Sequence, residues 1–115
     1  MLTEDIPPGQ GISAHRHPHA DEILFIRDGT GDATLAGRHT TVGEGATIYM
    51  PRNTVVSLRN VGQAPLRIVA IFSQPGYEEY LREISVPDGQ VAPPLTAPEL
   101  AAIRARHLGV AIYQP

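Results

Sequence analysis

The stretch GQGISAHRHPHADEILFIRDG, residues 9–29, decides how the rest of the chain is read. His15 and His17 stand two apart in an extended segment, so the period-two geometry of a strand turns both imidazoles to one face. Pro18, His19, Ala20 and Asp21 then supply a turn that brings Glu22, at the start of the next strand, back beside the two histidines. Two imidazoles and one carboxylate converging on a point form the donor set of the facial triad in non-haem Fe(II) sites, and nitrogen/oxygen sets also suit Mn, Ni, Co or Zn. His15, His17 and Glu22 are therefore the candidate metal ligands, and the same three residues are the candidate catalytic groups.

Outward from this stretch, extended segments alternate with turn signals at the spacing of a sandwich or barrel. Strands are expected near 12–17, 22–27, 32–36, 39–42, 46–50, 54–59 and 66–73. The breaks between them fall at Asp28-Gly29-Thr30-Gly31, Ala36-Gly37-Arg38, Gly43-Glu44-Gly45 and Asn60-Val61-Gly62-Gln63, where Gly, Asn and Asp tolerate the positive φ of tight turns. After Ser73 the period changes. Tyr77, Tyr80, Leu81 and Ile84 share one face of a short helix that is expected to pack outside the barrel. Residues 85–95 read as a Pro-containing connector. Thr96-Ala97-Pro98-Glu99 has capping-box spacing, and a second helix is expected to run to about Leu108 and stop at Gly109, with Leu100, Ile103 and His107 on its apolar stripe.

At 115 residues the chain fits one domain. The expected organisation is a barrel over about 9–75 and a helical extension over about 76–115, acting as a cap or a dimer clasp. With a formal charge of -3 and nine basic residues, all Arg and spread singly, there is no basic stripe to neutralise phosphates, so nucleic acid is not an expected partner. No apolar run reaches the roughly 20 residues of a membrane span, and the first residues lack the basic-then-apolar layout of a signal peptide. A soluble cytoplasmic protein is the expectation. The absence of Cys leaves nitrogen and oxygen ligands for any metal.

With these residues in place, the sequence resembles the cupin superfamily, in particular its small single-domain members. Gly9, His15, His17, Glu22 and Gly29 reproduce the family's first motif without a gap. The second is matched in part: Gly45, Pro51 and Asn60 stand as expected, Asn53 replaces a usual Gly, and Val56 stands where the family's third histidine ligand is usual. Asn also accepts left-handed backbone geometry, whereas Val cannot bind a metal. The resemblance implies an all-β fold, a cupin-type jelly-roll β-barrel of roughly six to eight strands with short C-terminal α-helices and the site in its interior. It also implies chemistry ranging from dioxygenases, isomerases and decarboxylases to non-catalytic binders.

Three functional readings follow. The first is a metal-dependent enzyme in which His15, His17 and Glu22 hold a divalent ion, Fe(II) or Mn(II), that polarises a small oxygenated substrate or activates O₂. In the second, motivated by Val56, Glu22 works with His15 or His17 as a metal-free acid/base pair for isomerisation, dehydration or cyclisation. The third is a non-catalytic small-ligand binder or sensor. A homodimer is expected because the barrel leaves sheet edges that the C-terminal helices could cover across a two-fold axis. Leu24, Ile26, Ile48, Met50, Val56, Leu58 and Phe72 are the expected interior lining. His19 reads as an exposed turn residue, His39 and His107 as structural or solvated, Asp21 as outward-facing, and Tyr49 as a weaker candidate for a proton donor at the rim.

Overall fold

Alternating burial along the strands closes two antiparallel sheets over a single interior. In the computed structural model, which describes residues 1–87 and 89–114, the strands are β1 (Leu2–Ile6), β2 (Gly11–Arg16), β3 (Glu22–Asp28), β4 (Gly31–Leu35), β5 (Arg38–Val42), β6 (Thr47–Met50), β7 (Val56–Asn60), β8 (Leu66–Phe72) and β9 (Ile112–Tyr113). Helices α1 (Tyr77–Ile84) and α2 (Ala97–Arg106) lie between β8 and β9. One sheet has the order β1-β8-β3-β6 and the other β5-β4-β7-β2-β9, the two halves of a jelly roll. The inward positions of β3, β7 and β8, among them Leu24, Ile26, Leu58, Leu66 and Ile68, form the barrel core. Val56, Met50 and Leu24 are buried as their parity requires, while Ile48 and Phe72 pack partly buried against that core. No helix among the described residues is long and apolar enough to cross a membrane.

Local chemistry explains the turns. Ala36 and Gly37 take positive φ of 47° and 80° to reverse the chain between β4 and β5. Asn53 sits at φ 67°, so the Asn that replaces a usual Gly does adopt left-handed geometry. Gly11 is required by close approach: a Cβ there would stand 2.2 Å from the Leu58 carbonyl oxygen of the neighbouring strand. Asn60, 1% exposed, donates from Nδ2 to the Ile6 and Ala64 carbonyls at 2.9 and 2.8 Å, and its Oδ1 accepts from the Gly62 amide at 2.9 Å. It thereby ties β1 to the turn after β7.

Two strands lie outside the expected set. β1 precedes residue 9 and pairs with β8 from Leu2↔Ala70 to Ile6↔Leu66, placing Leu2, Glu4 and Ile6 on the inward face. β9 is two residues long and adds to the outer edge of β2, His15 opposite Tyr113 and Arg16 opposite Ile112. α2 carries the expected capping box at Thr96 and Glu99 but ends at Arg106, with His107 as its C-cap, short of Leu108. Asp88, within the connector expected over 85–95, and Pro115 lie outside the described residues.

Candidate metal centre

β2 delivers His15 and the first residue beyond its last pair delivers His17, while β3 begins with Glu22. All three are buried, at 4, 5 and 6% exposure. One ligand atom from each lies within 4.8 Å of the other two, and among the described residues this is the group of His and acidic side chains placed to share an ion. His17 is outside the hydrogen-bonded strand, yet its ring joins that of His15 edge to face at 4.9 Å.

Hydrogen bonding orients both imidazoles. His15 Nδ1 lies 2.8 Å from the Ser13 carbonyl oxygen and His17 Nδ1 lies 2.8 Å from that of Val110. A carbonyl only accepts, so each Nδ1 carries the proton and, in the neutral ring, each Nε2 presents a lone pair. This is the arrangement in which metal-binding histidines are oriented by a backbone carbonyl. Burial, aided by the proximity of His17 and Arg104, pushes the His15 pKa down to about 4, so its ring is neutral at pH 7. His17 Nε2 is buried without a hydrogen-bond partner and stands 3.4 Å from Glu22 Oε1. A nitrogen lone pair facing a carboxylate is unfavourable unless a cation or a proton lies between them. The donor set thus fits a divalent ion on the evidence of the orphaned His17 nitrogen.

The interior cavity beside this group measures about 30 Å³ and is lined by His15, Glu22, Met50, Val56, Glu4 and Tyr77 among others. Val56 pairs directly with His15 across β2 and β7 and presents an apolar surface there. Two residues beside the centre were not apparent from the sequence. Glu4 reaches the cavity from β1, and burial together with the nearby Glu22 raises its carboxyl pKa. Its signal was the parity it shares with Leu2 and Ile6. Tyr77, expected on a helix packed outside the barrel, covers the site: its ring stacks with His15 at 6.2 Å and meets His17 edge-on at 4.7 Å. α1 lies outside the sheets as expected, but its first residue closes the barrel mouth. Tyr113 of β9 also stacks on His15, at 5.2 Å, and the hydroxyls of Tyr77 and Tyr113 share a hydrogen bond of 3.1 Å. Burial raises both phenol pKa values.

The remaining candidates stand apart from the centre. His19 is exposed and outside the ligand group. His39 contacts Thr34 and Asp32 on the surface. His107 caps α2 and bonds Glu83 of α1. Asp21 turns away from the interior, accepting from the Arg52 amide at 2.8 Å, and this bond lowers its pKa. Tyr49 is 58% exposed, which removes it from the rim of the cavity.

Comparison with known proteins yields a family match and several relatives. The model of the cupin domain matches residues 2–72. An uncharacterized protein of Methanocaldococcus jannaschii is 35% identical over 79 residues, 69% of this chain and 62% of that protein. Mannose-1-phosphate guanylyltransferase ManC of Salmonella typhimurium is 32% identical over 74 residues, 64% of this chain but 15% of the relative. The chain thus spans less than two thirds of the length of either curated relative. The crystal structure of a Bacillus halodurans protein is similar with a TM-score of 0.62 and 24% identity, covering 90% of this chain and 72% of that one, a likeness of fold.

Proposed function

The chain belongs to the cupin domain family, and from that premise we propose that it is a metal-dependent enzyme acting on a small oxygenated organic substrate by dioxygenase-like or isomerase/lyase-like chemistry. The observation that carries this reading is the buried, partnerless Nε2 of His17 facing the Glu22 carboxylate. His15, His17 and Glu22 would hold the ion, Fe(II) or Mn(II). When bound, the ion would supply Lewis-acid polarisation of a substrate oxygen or, if redox-active, activation of O₂.

The chain's own residues prepare the site in three ways. The Ser13 and Val110 carbonyls hold the Nδ1 protons in place and turn both Nε2 atoms to the site as the candidate donor atoms. Tyr77 and Phe72 press on the His17 ring, at 4.7 and 5.0 Å, and exclude water from its face. Val56 leaves the position opposite His15 without a ligand, which favours an open coordination site for substrate.

The test is turnover of a panel of small hydroxy- and oxo-acids by protein stripped with chelator and reloaded with Fe(II) or Mn(II). Activity that is lost on stripping, restored by metal and abolished in His15→Ala supports the proposal. Chelator-resistant activity lost in Glu22→Gln would replace it with the metal-free acid/base reading. Saturable ligand binding without turnover would replace it with a binder.

A further inference from the structure

A second, larger chamber of about 310 Å³ opens between the barrel wall and the two C-terminal helices. Glu4, Ile12 and Tyr77 line both this chamber and the interior cavity, so the two spaces share a wall. Its surface is mostly apolar and aromatic, with Tyr77, Tyr80 and Tyr113 beside aliphatic groups such as Leu81 and Leu100. Arg104 is the basic residue of that lining.

Arg104 is held unlike the paired arginines of this chain. Arg52, Arg67, Arg82 and Arg106 each pair with a carboxylate, whereas among the described residues no acid lies within ion-pair distance of Arg104. Its Nε donates to the Tyr80 hydroxyl at 3.1 Å and its guanidinium carbon stands 3.8 Å over the Tyr113 ring. These contacts fix the plane of the guanidinium and use one of its five N–H groups, leaving the terminal pair that forms a bidentate fork with a carboxylate.

We propose that this chamber binds a small apolar monocarboxylate, its carboxylate on Arg104, its hydrocarbon body against Tyr77, Tyr80 and Tyr113, and its far end toward the wall shared with the interior cavity. One guanidinium, with the Glu4 carboxyl on the same lining and largely apolar walls around them, suits a monoanion with a hydrophobic body better than a phosphate, whose dianion draws several cationic or amide donors. The chamber lies beside the metal centre, and neither the inference nor its test depends on the metal-enzyme reading.

Benzoate, benzamide and inorganic phosphate are titrated into chelator-stripped full-length protein, with chemical shifts of the tyrosine rings and the Ile12 methyl as readout. Saturable benzoate binding, at least about tenfold weaker binding of benzamide, and an about tenfold or greater loss for benzoate in Arg104→Gln are the expected results, a factor of ten being the usual worth of a charge-assisted hydrogen bond. Equal binding of benzoate and benzamide, binding unchanged in Arg104→Gln, phosphate binding as tight as benzoate, or no saturable shift would each overturn the inference. The benzoate and benzamide comparison uses the native chain and stands even if Arg104→Gln folds poorly. Benzoate binding with no metal uptake would sink only the metal reading, and metal uptake with no benzoate binding only this one.

Discussion

Replacing Tyr77 separates its role as a lid over the site from that of an ordinary surface-helix residue. Its ring is 7% exposed and lies within 4.7 to 6.2 Å of the ring centroids of His15, His17, Phe72 and Tyr80. Truncating a buried aromatic residue to Ala costs about 3–5 kcal/mol. Tyr77→Phe keeps the ring and loses only the hydroxyl shared with Tyr113, about 1 kcal/mol. An unfolding entropy of about 2.1 cal/mol/K per residue makes 1 kcal/mol worth about 4 °C for a chain of 115 residues. Thermal melts of metal-free protein, followed by circular dichroism, should therefore show Tm lower by about 12 °C or more in Tyr77→Ala and by about 4 °C in Tyr77→Phe. Metal-free conditions keep ligand linkage out of the comparison. A fall of less than about 4 °C in Tyr77→Ala would refute the claim that α1 is docked on the histidines.

Three other substitutions test the scaffold. Gly11→Ala should destabilise the protein by about 1–3 kcal/mol in urea unfolding, because its Cβ meets the Leu58 carbonyl oxygen at 2.2 Å in the neighbouring backbone, and an unchanged midpoint would contradict that close approach. Asn60→Asp replaces two donors with acceptors facing the Ile6 and Ala64 carbonyls, and a loss of about 2–4 kcal/mol is expected by the same assay, with a loss below 1 kcal/mol counting against the buried network. Glu83 has its pKa lowered by hydrogen bonds from Arg106 and His107, so its contribution to stability is present above its ordinary value of 4.5 and lost as pH falls through the lower folded value. The Tm gap between wild type and Glu83→Gln should accordingly narrow as pH drops below 4.5, and a gap that widens there would contradict the pairing.

The barrel was legible because β2 to β8 combine inward apolar parity with turn residues at every break, and because His15, His17 and Glu22 have a spacing that any closure of those strands brings together. β1 was hidden by Glu4: an acid at an inward position breaks the apolar alternation of Leu2 and Ile6, and the strand stops at Pro7. β9 is too short to leave a periodic signal, and its pairing with β2 joins residues from opposite ends of the chain. The face of α1 was readable, but its target was not. Helical spacing gathers Tyr77 with Tyr80, whereas only the return of the chain through Val110 and Tyr113 shows that this face closes over His15 and His17. The inward placement of Val56 was legible too: it lies opposite His15 in the cavity wall.

The central claim is that His15, His17 and Glu22 form a centre for one divalent ion, left open at Val56. Elemental analysis after loading with Mn(II) and exhaustive dialysis, on wild type, His15→Ala and Val56→His, tests it most directly. The account predicts about one equivalent per chain in the wild type, none in His15→Ala, and tighter retention in Val56→His, where an imidazole joins the set. A wild-type protein that retains no stoichiometric ion, or one whose ion survives His15→Ala, would contradict it.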